Sequence, residues 1–494
     1  MRKVIFCISL VLNIFSIQAQ KVVKPNIVVL MADDIGLGDI SFYHKQSSKT
    51  APAVMTPNID KLISEGMRFS DAHSPASLCA PTRFSMMTGN YSYRNQKPYG
   101  VWTANADALI DKNNFTTGAR IAKKGGYNTA FFGKWGFGGS WIKGKKVDYK
   151  KETGGALSYG FDYAVELPEG IQNKPFAFYE NREWMKIKSN SVLKEINSVQ
   201  NGYKFSKKHN DRGGIGDSNW DPTEAGGILV DKTVAYIKKQ KGSEKPFFLY
   251  YCSQAVHIPH TPPAMLDGNK VAGTTPGVHG DMIYELDIQV GMIIEALKKT
   301  GAYENTLFVF TSDNGGLSFD QNMKKAGHDT SNGLNGSKGS IYEGGHRVPF
   351  IAVWPGVIQA NSISNEPVVG QDMVATIAAL SQQKLDISKV FDSANLLPYF
   401  KGEKTEKPAH IYLMHQSKGG PTYAIRDGKW KLILKGKKPG VLENLTPIEL
   451  YDLESNLFED SSRNLIEDSK HKNRIENMMK TYIDVRVSKV TTVN

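Results

Sequence analysis

The pattern of apolar and polar residues predicts strands that alternate with helices. Apolar runs of strand length occupy 26–31, 128–132, 247–251 and 307–310, which is typical of strands buried on both faces. A helix is predicted with Thr56 as its N-cap, Pro57 in its first turn and Gly66 at its end, and another carries an apolar stripe over 281–300. We therefore expect an α/β fold with a large, mostly parallel sheet flanked by helices.

The pattern changes after about residue 405. Short runs at 424–433 and 449–453 predict antiparallel strands, with a turn at Asp427 and Gly428, and a charged helix is expected over about 461–483. This part reads as a smaller α+β subdomain.

We accordingly divide the chain into a signal peptide (1–20), an α/β domain that carries the functional site (21–405) and the C-terminal α+β subdomain (406–494). Residues 140–220 are rich in Lys, Gly and Asn and lack a clear period. We expect them to form loops and insertions near the mouth of the site.

Polar side chains follow the predicted strands at the points where the strands end. Because the carboxyl ends of parallel strands share one edge of a sheet, we expect these side chains to converge there. The set consists of Asp33, Asp34, Lys134, His257, Asp313 and Asn314. Three acids and an amide without a His/Cys set favour Ca²⁺, with Mg²⁺ as the alternative, over Zn²⁺. Taken singly, the Asp-Asp and Asp-Asn-Gly-Gly sequences are also ordinary turn formers.

The first twenty residues have the pattern of an export signal. Arg2 and Lys3 precede an apolar stretch that is too short to span a membrane, and no other stretch of the sequence is long and apolar enough to do so. We expect an exported protein, periplasmic or secreted. The whole chain carries a net charge of +12, and loss of Arg2 and Lys3 leaves +10, which suits an anionic partner without selecting one.

Cys79 lies where a helix is predicted to begin. Pro81 suits the first position of that helix and Gly89 suits its end, so the helix dipole would favour an anion or a thiolate at Cys79. Arg83, one turn further on, could hold a tetrahedral oxyanion. By residue type alone, a buried structural cysteine is the commoner role. Cys252 ends an apolar strand, and we expect it to be a buried free thiol.

The segment Cys79-Ala-Pro-Thr-Arg83 resembles the signature of the type I, formylglycine-dependent sulfatases of the alkaline phosphatase superfamily. The resemblance extends in order over nearly the whole mature chain. It is carried by residues 26–34, 56–60, 126–135, 311–315, 338–349 and 449–453.

The resemblance implies a sulfuric ester hydrolase in which Cys79 is converted to formylglycine by a formylglycine-generating enzyme. It implies Ca²⁺ held by Asp33, Asp34, Asp313, Asn314 and the modified Cys79. It further implies that Arg83 steadies the formylglycine, that Lys134 and Lys338 bind sulfate oxygens, and that His257 protonates the leaving group.

One position departs from the family pattern. The family usually has Gly-Lys-Trp-His-Leu-Gly, whereas this chain has Gly136 in the place of the histidine. In the family that histidine contacts the formylglycine hydroxyl and helps the elimination of sulfate. Glycine has no side chain for this task, so either another group replaces the imidazole or the step is slower.

Three further residues are candidates for substrate binding: His260, His415 and Lys418. For His260 a loop histidine without a role in binding is an equal alternative, and for His415 and Lys418 a position without such a role is the commoner case. The leading functional interpretation is an exported sulfatase acting on a sulfated carbohydrate. The alternatives are a phosphonate or phosphodiester hydrolase of the same superfamily and a non-catalytic binder of sulfated glycans. A nucleic-acid partner is disfavoured, because no basic stripe with interleaved aromatic residues is present.

Overall fold

The structure is a computed structural model. It describes residues 24–494 except 96–99, 101–109, 112, 138–141, 144–145, 197–212, 318–319, 419 and 489. The predicted signal peptide, residues 1–20, lies outside the described residues.

A ten-stranded mixed sheet, the central sheet, organises the large part of the chain. Its strands lie in the spatial order Ser362–Ser364, Met67–Phe69, Phe350–Val353, Thr306–Ser312, Asn26–Ala32, Phe247–Cys252, Asn128–Lys134, Tyr163–Leu167, Phe178–Glu180 and Glu183–Met185. The five strands from Thr306–Ser312 to Tyr163–Leu167 are parallel, and their outer neighbours pair with them antiparallel. The four strands predicted from apolar runs are the middle four of this sheet.

Helices cover both faces of the central sheet, as the apolar strands require. In the strand Asn26–Ala32, Val28 and Leu30 pack into one core, and Ile27, Val29 and Met31 pack into the other. The described helices are Ser41–Ser47, Pro57–Glu65, Cys79–Thr88, Gly118–Lys124, Ala225–Lys239, Val278–Thr300, Gln321–Lys325, Glu343–His346, Met373–Leu380, Leu397–Phe400 and Lys472–Val487.

The helix Pro57–Glu65 has the predicted bounds but a different cap. Thr56 occupies the N-cap position, yet its hydroxyl donates to Asp60 and accepts the backbone N–H of Ser41, and it accepts no N–H of its own helix. The carboxylate of Asp287 accepts from the backbone N–H groups of Asn58 and Ile59 instead. A side chain distant in sequence therefore satisfies the free N–H groups of this helix.

The C-terminal part contains a second sheet, the C-terminal sheet, which is antiparallel throughout. Its strands are Tyr412–Gln416, Thr422–Asp427, Trp430–Lys435 and Thr446–Asp452. The predicted hairpin is confirmed, but its turn lies at Gly428 and Lys429, one residue later than expected. The remaining strands form pairs elsewhere in the fold: Ala72–His73 with Val368–Val369, Leu193–Ile196 with Gly214–Asp217, Met265–Leu266 with Asn269–Lys270, and Ile142–Lys143 with Lys146–Val147.

The predicted helix over 461–483 is wrong in its first half. The helix runs from Lys472 to Val487, and only single 3₁₀ turns precede it, at Ser461–Arg463 and Ser469–His471. The carboxylates of Asp460 and Asp468 accept backbone N–H groups at the start of these turns. Such local side-chain bonds compete with helix propagation and explain the later start.

The expectation of loops over 140–220 is also partly wrong. The strands Tyr163–Leu167, Phe178–Glu180 and Glu183–Met185 complete one edge of the central sheet. They are only three to five residues long, and a glutamate interrupts or bounds each apolar stretch, so neither a long apolar run nor a clear alternation marked them. Among the described residues, no helix is both long enough and apolar enough to cross a membrane.

Candidate active site

The predicted site residues converge at the carboxyl ends of the central parallel strands. Asp33 and Asp34 follow the strand Asn26–Ala32, and Asp313 and Asn314 follow the strand Thr306–Ser312, its direct neighbour. Lys134 ends the strand Asn128–Lys134. The shared strand direction places these side chains at one edge of the sheet, as the sequence predicted.

The three carboxylates are buried, and each is paired with a buried or largely buried cation. Lys134 Nζ donates to Asp33 Oδ2 at 2.6 Å, and Lys338 Nζ donates to Asp34 Oδ2 at 2.7 Å. Arg83 Nη2 donates to Asp313 Oδ2 at 2.6 Å. Opposite charges removed from water in this way are costly to separate, since either partner alone would be a buried unpaired charge.

The pKa values of the acids reflect the many charged groups that are buried close together in the site. Burial acts to raise the pKa of Asp33, but Lys134, His257, Arg83 and Lys338 hold it well below its usual value. Burial and the neighbouring Asp33 carboxylate raise the pKa of Asp313 to about 7 in spite of Arg83. The negative charges of the Asp33 and Asp313 carboxylates repel each other, and a cation bound between them would reduce this repulsion.

Two oxygens of the site are suited to receive such a cation. Asp33 Oδ1 and Asn314 Oδ1 are buried and accept no hydrogen bond. The amide nitrogen of Asn314 donates to Asp34 Oδ1 at 2.7 Å, which fixes the amide plane. Carboxylate and amide oxygens are the ligands that Ca²⁺ and Mg²⁺ prefer, so the donor set fits a hard divalent cation.

Cys79 lies at the amino end of the helix Cys79–Thr88, as predicted, although the helix begins two residues before the expected Pro81. Gly89 ends the helix, as predicted, and has the left-handed conformation. Burial raises the pKa of the Cys79 thiol, against the opposing effect of Lys134 and Lys338. An unmodified Cys79 is therefore a poor thiolate nucleophile. Cys252 is likewise buried and free, as expected, and burial raises its pKa to about 12.

Gly136 lies directly against Arg83. Its φ is +76°, and a Cβ at this position would approach Arg83 Cδ to 3.1 Å. Arg83 is held on the other side by Asp313 and by the carbonyl of Lys134, to which Nη1 donates at 3.0 Å. A side chain at position 136 would therefore contact the aliphatic part of the Arg83 side chain.

His257 faces the same carboxylates from the loop after the strand Phe247–Cys252. Its Nε2 lies 3.9 Å from Asp34 Oδ2, and its Nδ1 donates to the carbonyl of Ile258 at 2.6 Å. Burial and the charges of Lys338 and Lys134 lower the pKa of His257 to about 4. The ring is thus neutral near pH 7, with the lone pair on Nε2; an anionic ligand beside it would raise the pKa.

The three candidates for substrate binding have different surroundings. His260 is half-buried, and its ring lies 4.9 Å from that of His279. Lys418 is exposed, and its backbone N–H donates to the carbonyl of Gly339, next to Lys338, so it lies at the rim of the site. His415 is 3% exposed and its ring stacks on that of His346. The structure therefore does not bring His415 to the site surface.

A short segment that the sequence analysis missed borders Lys134. Glu169 is buried, its Oε1 has no partner, and burial raises its pKa to about 8 although Lys134 opposes this. The next residue, Gly170, packs between Gln172 and the Lys134 stem. The only available signal was a Glu-Gly pair within the stretch that we interpreted as loops.

Comparison with known proteins identifies the family. Residues 25–382 match the family model described as Sulfatase, and the chain belongs to that family. It is a sulfuric ester hydrolase with the fold of the type I sulfatases of the alkaline phosphatase superfamily. One relative is an N-acetylgalactosamine-6-O-sulfatase of Bacteroides thetaiotaomicron, which is 31% identical with 89% of each chain covered. Dog arylsulfatase H is 30% identical, with 79% of this chain and 75% of the relative covered.

Solved structures agree with this assignment. A 6S-sulfatase of Bacteroides thetaiotaomicron, solved in connection with the metabolism of multiple glycosaminoglycans, superposes with a TM-score of 0.80 at 28% identity. The match covers 94% of this chain and all of that one. Ps i-CgsB, in complex with k-i-k-neocarrahexaose, superposes with a TM-score of 0.69 at 25% identity and covers 94% and 93% of the two chains.

Proposed function

We propose that this protein is an exported sulfatase that removes sulfate from a sulfated carbohydrate through a formylglycine formed from Cys79. The observation that carries the proposal is the position of Cys79 at the amino end of a buried helix, where Lys134, Lys338, Asp313 and Asp33 all act on it electrostatically. The relatives named as carbohydrate sulfatases support the substrate class, and the positive net charge agrees with an anionic substrate.

Asp33, Asp34, Asp313 and Asn314 would hold Ca²⁺, or Mg²⁺ as the alternative, together with the modified Cys79. When bound, the metal supplies Lewis acidity, and formylglycine supplies as its hydrate a hydroxyl nucleophile toward sulfur. The unpartnered Asp33 Oδ1 and Asn314 Oδ1 support this ligand set. Maturation would require a formylglycine-generating enzyme as a partner of the chain.

The remaining residues bind and orient the sulfate ester. Lys134 and Lys338 would place their ammonium groups on the sulfate oxygens, where negative charge develops, and Arg83 would steady residue 79. His257 would take up a proton as the anionic substrate binds and pass it to the departing sugar oxygen. Lys418 at the rim and the half-buried His260 are proposed to contact the sugar.

Export is part of the proposal and rests on residues 1–20 alone. The basic pair Arg2 and Lys3 and the short apolar run have the form of a cleaved signal. We place the mature protein in the periplasm or outside the cell.

The decisive experiment compares Cys79→Ala with Cys252→Ala in protein produced together with a formylglycine-generating enzyme. Peptide mass analysis of the wild type should find an aldehyde in place of the Cys79 thiol. Cys79→Ala should lose essentially all turnover, whereas Cys252→Ala, which alters the other buried free thiol, should retain the aldehyde and measurable turnover. Full activity in folded Cys79→Ala would exclude the mechanism.

Defined substrates then test the substrate class. A panel of sulfated mono- and disaccharides, beginning with 6-O-sulfated N-acetylgalactosamine because of the relatives, should reveal desulfation of a sugar. An aryl phosphate diester, assayed in parallel with an aryl sulfate, tests the phosphodiester alternative. Faster turnover of the diester would reject a sulfatase as the main activity.

A further inference from the structure

A second group of metal-ligating side chains lies outside the candidate active site. It consists of Asp39, His279 and His328, whose ligand atoms all lie within 4.8 Å of one another. Asp39 is the last residue of a 3₁₀ turn, Leu37–Asp39, after the strand Asn26–Ala32. His279 lies in the first turn of the helix Val278–Thr300, and His328 follows the helix Gln321–Lys325. All three side chains are buried. The group, which we call the Asp39 cluster, shares no residue with the proposed calcium ligands.

The hydrogen bonds of the Asp39 cluster leave one nitrogen unpaired. His328 Nε2 lies 2.7 Å from Asp39 Oδ1, and Asp39 Oδ2 accepts from the backbone N–H of Gly36 at 2.8 Å. His279 is 1% exposed, and its Nε2 has no hydrogen-bond partner. A buried polar nitrogen without a partner costs free energy, so the cluster is incomplete as it stands.

The ring orientations of the Asp39 cluster suit a shared ion. The rings of His279 and His328 lie 6.1 Å apart at an interplanar angle of 70°. An imidazole coordinates a metal in its own plane, and two steeply inclined planes intersect, so both rings can point to one ion. Asp39 provides the oxygen ligand at the same place.

The charges around the Asp39 cluster also favour a cation. The charged groups that act most strongly on His328 are the carboxylates of Asp39, Asp329 and Asp320. Those that act on His279 are Asp39, Asp320 and Asp34, together with the neighbouring ring of His328. A divalent cation therefore enters a region of negative potential.

A second histidine group in the same fold provides an internal contrast. His73, His346 and His415 are equally close together, but the rings of His346 and His415 stack at 3.7 Å with only 11° between their planes. Nearly parallel rings cannot both direct an in-plane lone pair at one ion. Lys431 and Arg426 also contact His346 and His73, at 3.0 and 3.2 Å, so this group has cationic neighbours.

We propose that Asp39, His279 and His328 bind a divalent transition-metal ion, with Zn²⁺ as the best match to two imidazoles and one carboxylate. Zn²⁺ takes the place of the proton between His328 Nε2 and Asp39, and that proton leaves to solvent or moves to Nδ1. Water completes the coordination. The ion ties the turn after Asp34 to the helix Val278–Thr300, and so acts as a structural clamp beside the active site.

The test uses the full mature chain, stripped of metal and then saturated with Ca²⁺ so that the hard-ligand site is filled. Zn²⁺ alone is the probe. The wild type should bind one tightly held Zn²⁺ per chain, measured by elemental analysis after gel filtration, and its melting temperature should rise with Zn²⁺ concentration. His279→Gln and His328→Gln should lose both effects, whereas the matched control His415→Gln should retain them.

X-ray absorption at the zinc edge of the wild type needs no variant and remains decisive if His279→Gln does not fold. The spectrum should show two imidazole ligands with oxygen ligands beside them. Absence of bound Zn²⁺, a spectrum without imidazole, or three imidazole ligands would overturn the assignment, the last by pointing to His73, His346 and His415. The assignment would also be overturned if His415→Gln lost the bound Zn²⁺ and His279→Gln retained it.

Discussion

At the scale of single residues, the sequence pattern predicted the positions of some residues of the site but not of others. Asp33, Asp34 and Asp313 follow strands whose apolar pattern was unambiguous, so their convergence could be predicted. His415 could not be placed, because its surroundings are set by how the C-terminal sheet docks. Glu169 was marked by nothing more than the Glu-Gly pair, since its burial beside Lys134 results from packing of a segment without periodicity.

Gly136 provides a prediction about stability. Gly136→Ala should destabilise the fold because a φ of +76° costs an L-residue about 1–2 kcal/mol and because the new Cβ meets the restrained Arg83 side chain. Gly242→Ala is the matched control, since Gly242 has a φ of +78° and open space around it. Urea unfolding should give the larger loss for Gly136→Ala. Equal losses would show that Arg83 yields without cost.

The contact of position 136 with Arg83 also affects a variant that carries the histidine usual in the family. Gly136→His should be at least as destabilised as Gly136→Ala, so its rate must be measured on protein shown to be folded. If elimination of sulfate limits turnover, an imidazole at this position should raise the rate for sugar and aryl sulfates alike. A gain confined to one substrate would indicate an effect on binding.

His257 provides a prediction about chemistry. A general acid matters most for a poor leaving group, so His257→Ala should slow a sugar sulfate by about 10²–10⁴ and an activated aryl sulfate by much less. Steady-state kinetics on both esters with the same enzyme preparation measure the difference and correct for active fraction. Equal losses would remove His257 from the role of leaving-group acid and favour His260 or Lys338.

At the scale of elements, the helix Val278–Thr300 supports the loop that carries His257. Glu285 Oε1 accepts from the side-chain amides of Gln254 and Gln289, and Gln289 Oε1 in turn accepts from Ser253. The apolar stripe that predicted this helix gave no indication of the buried polar row beside it. Hydrophobic periodicity indicates which face of a helix is buried, but it does not indicate polar side chains that are buried as hydrogen-bond partners of one another.

Glu285 therefore yields a prediction for pH. Burial raises its pKa to about 8, so the folded state keeps a proton that the unfolded state releases near its usual value of 4.5. This carboxyl should cost the fold stability as pH rises from about 4.5 to 8, by on the order of 4 kcal/mol. Glu285→Gln should match the wild type near pH 4 and exceed it increasingly up to pH 8.

Denaturant unfolding across this pH range measures the difference between the two proteins, so that other titrating groups cancel. Glu295→Gln, at an exposed position of the same helix, is the control and should show no such trend. A difference between Glu285→Gln and the wild type that stays constant with pH would mean that Glu285 is ionised in the fold throughout.

At the scale of the whole molecule, the C-terminal sheet forms part of the wall of the site. The backbone of Lys418 bonds to Gly339, and Gly339 bonds to Ser77, two residues before Cys79. Arg426 reaches from the C-terminal sheet to Asp71 of the large domain with two hydrogen bonds, of 2.6 and 2.7 Å. The sequence predicted the existence of a smaller unit after residue 405, but these contacts across its boundary had no sequence signal.

Lys431 tests whether this docking stabilises the fold. Its Nζ lies 2.9 Å from Glu343 Oε1 and 2.7 Å from Glu459 Oε1, and all three side chains are fully buried. Lys431→Met keeps most of the volume but takes the cation from Glu459 and leaves Glu343 with Arg347 and the ring of His346. Because removal of one partner strands a buried charge, the variant should lose about 3–5 kcal/mol of unfolding free energy. Lys429→Met, two residues away on the same hairpin, breaks ion pairs of a surface lysine with Asp452 and Glu454 and its contact with the Trp430 ring, and it should unfold at nearly the same urea concentration as the wild type. Similar midpoints for the two variants would show that the buried ion pairs of Lys431 with Glu343 and Glu459 contribute little to stability.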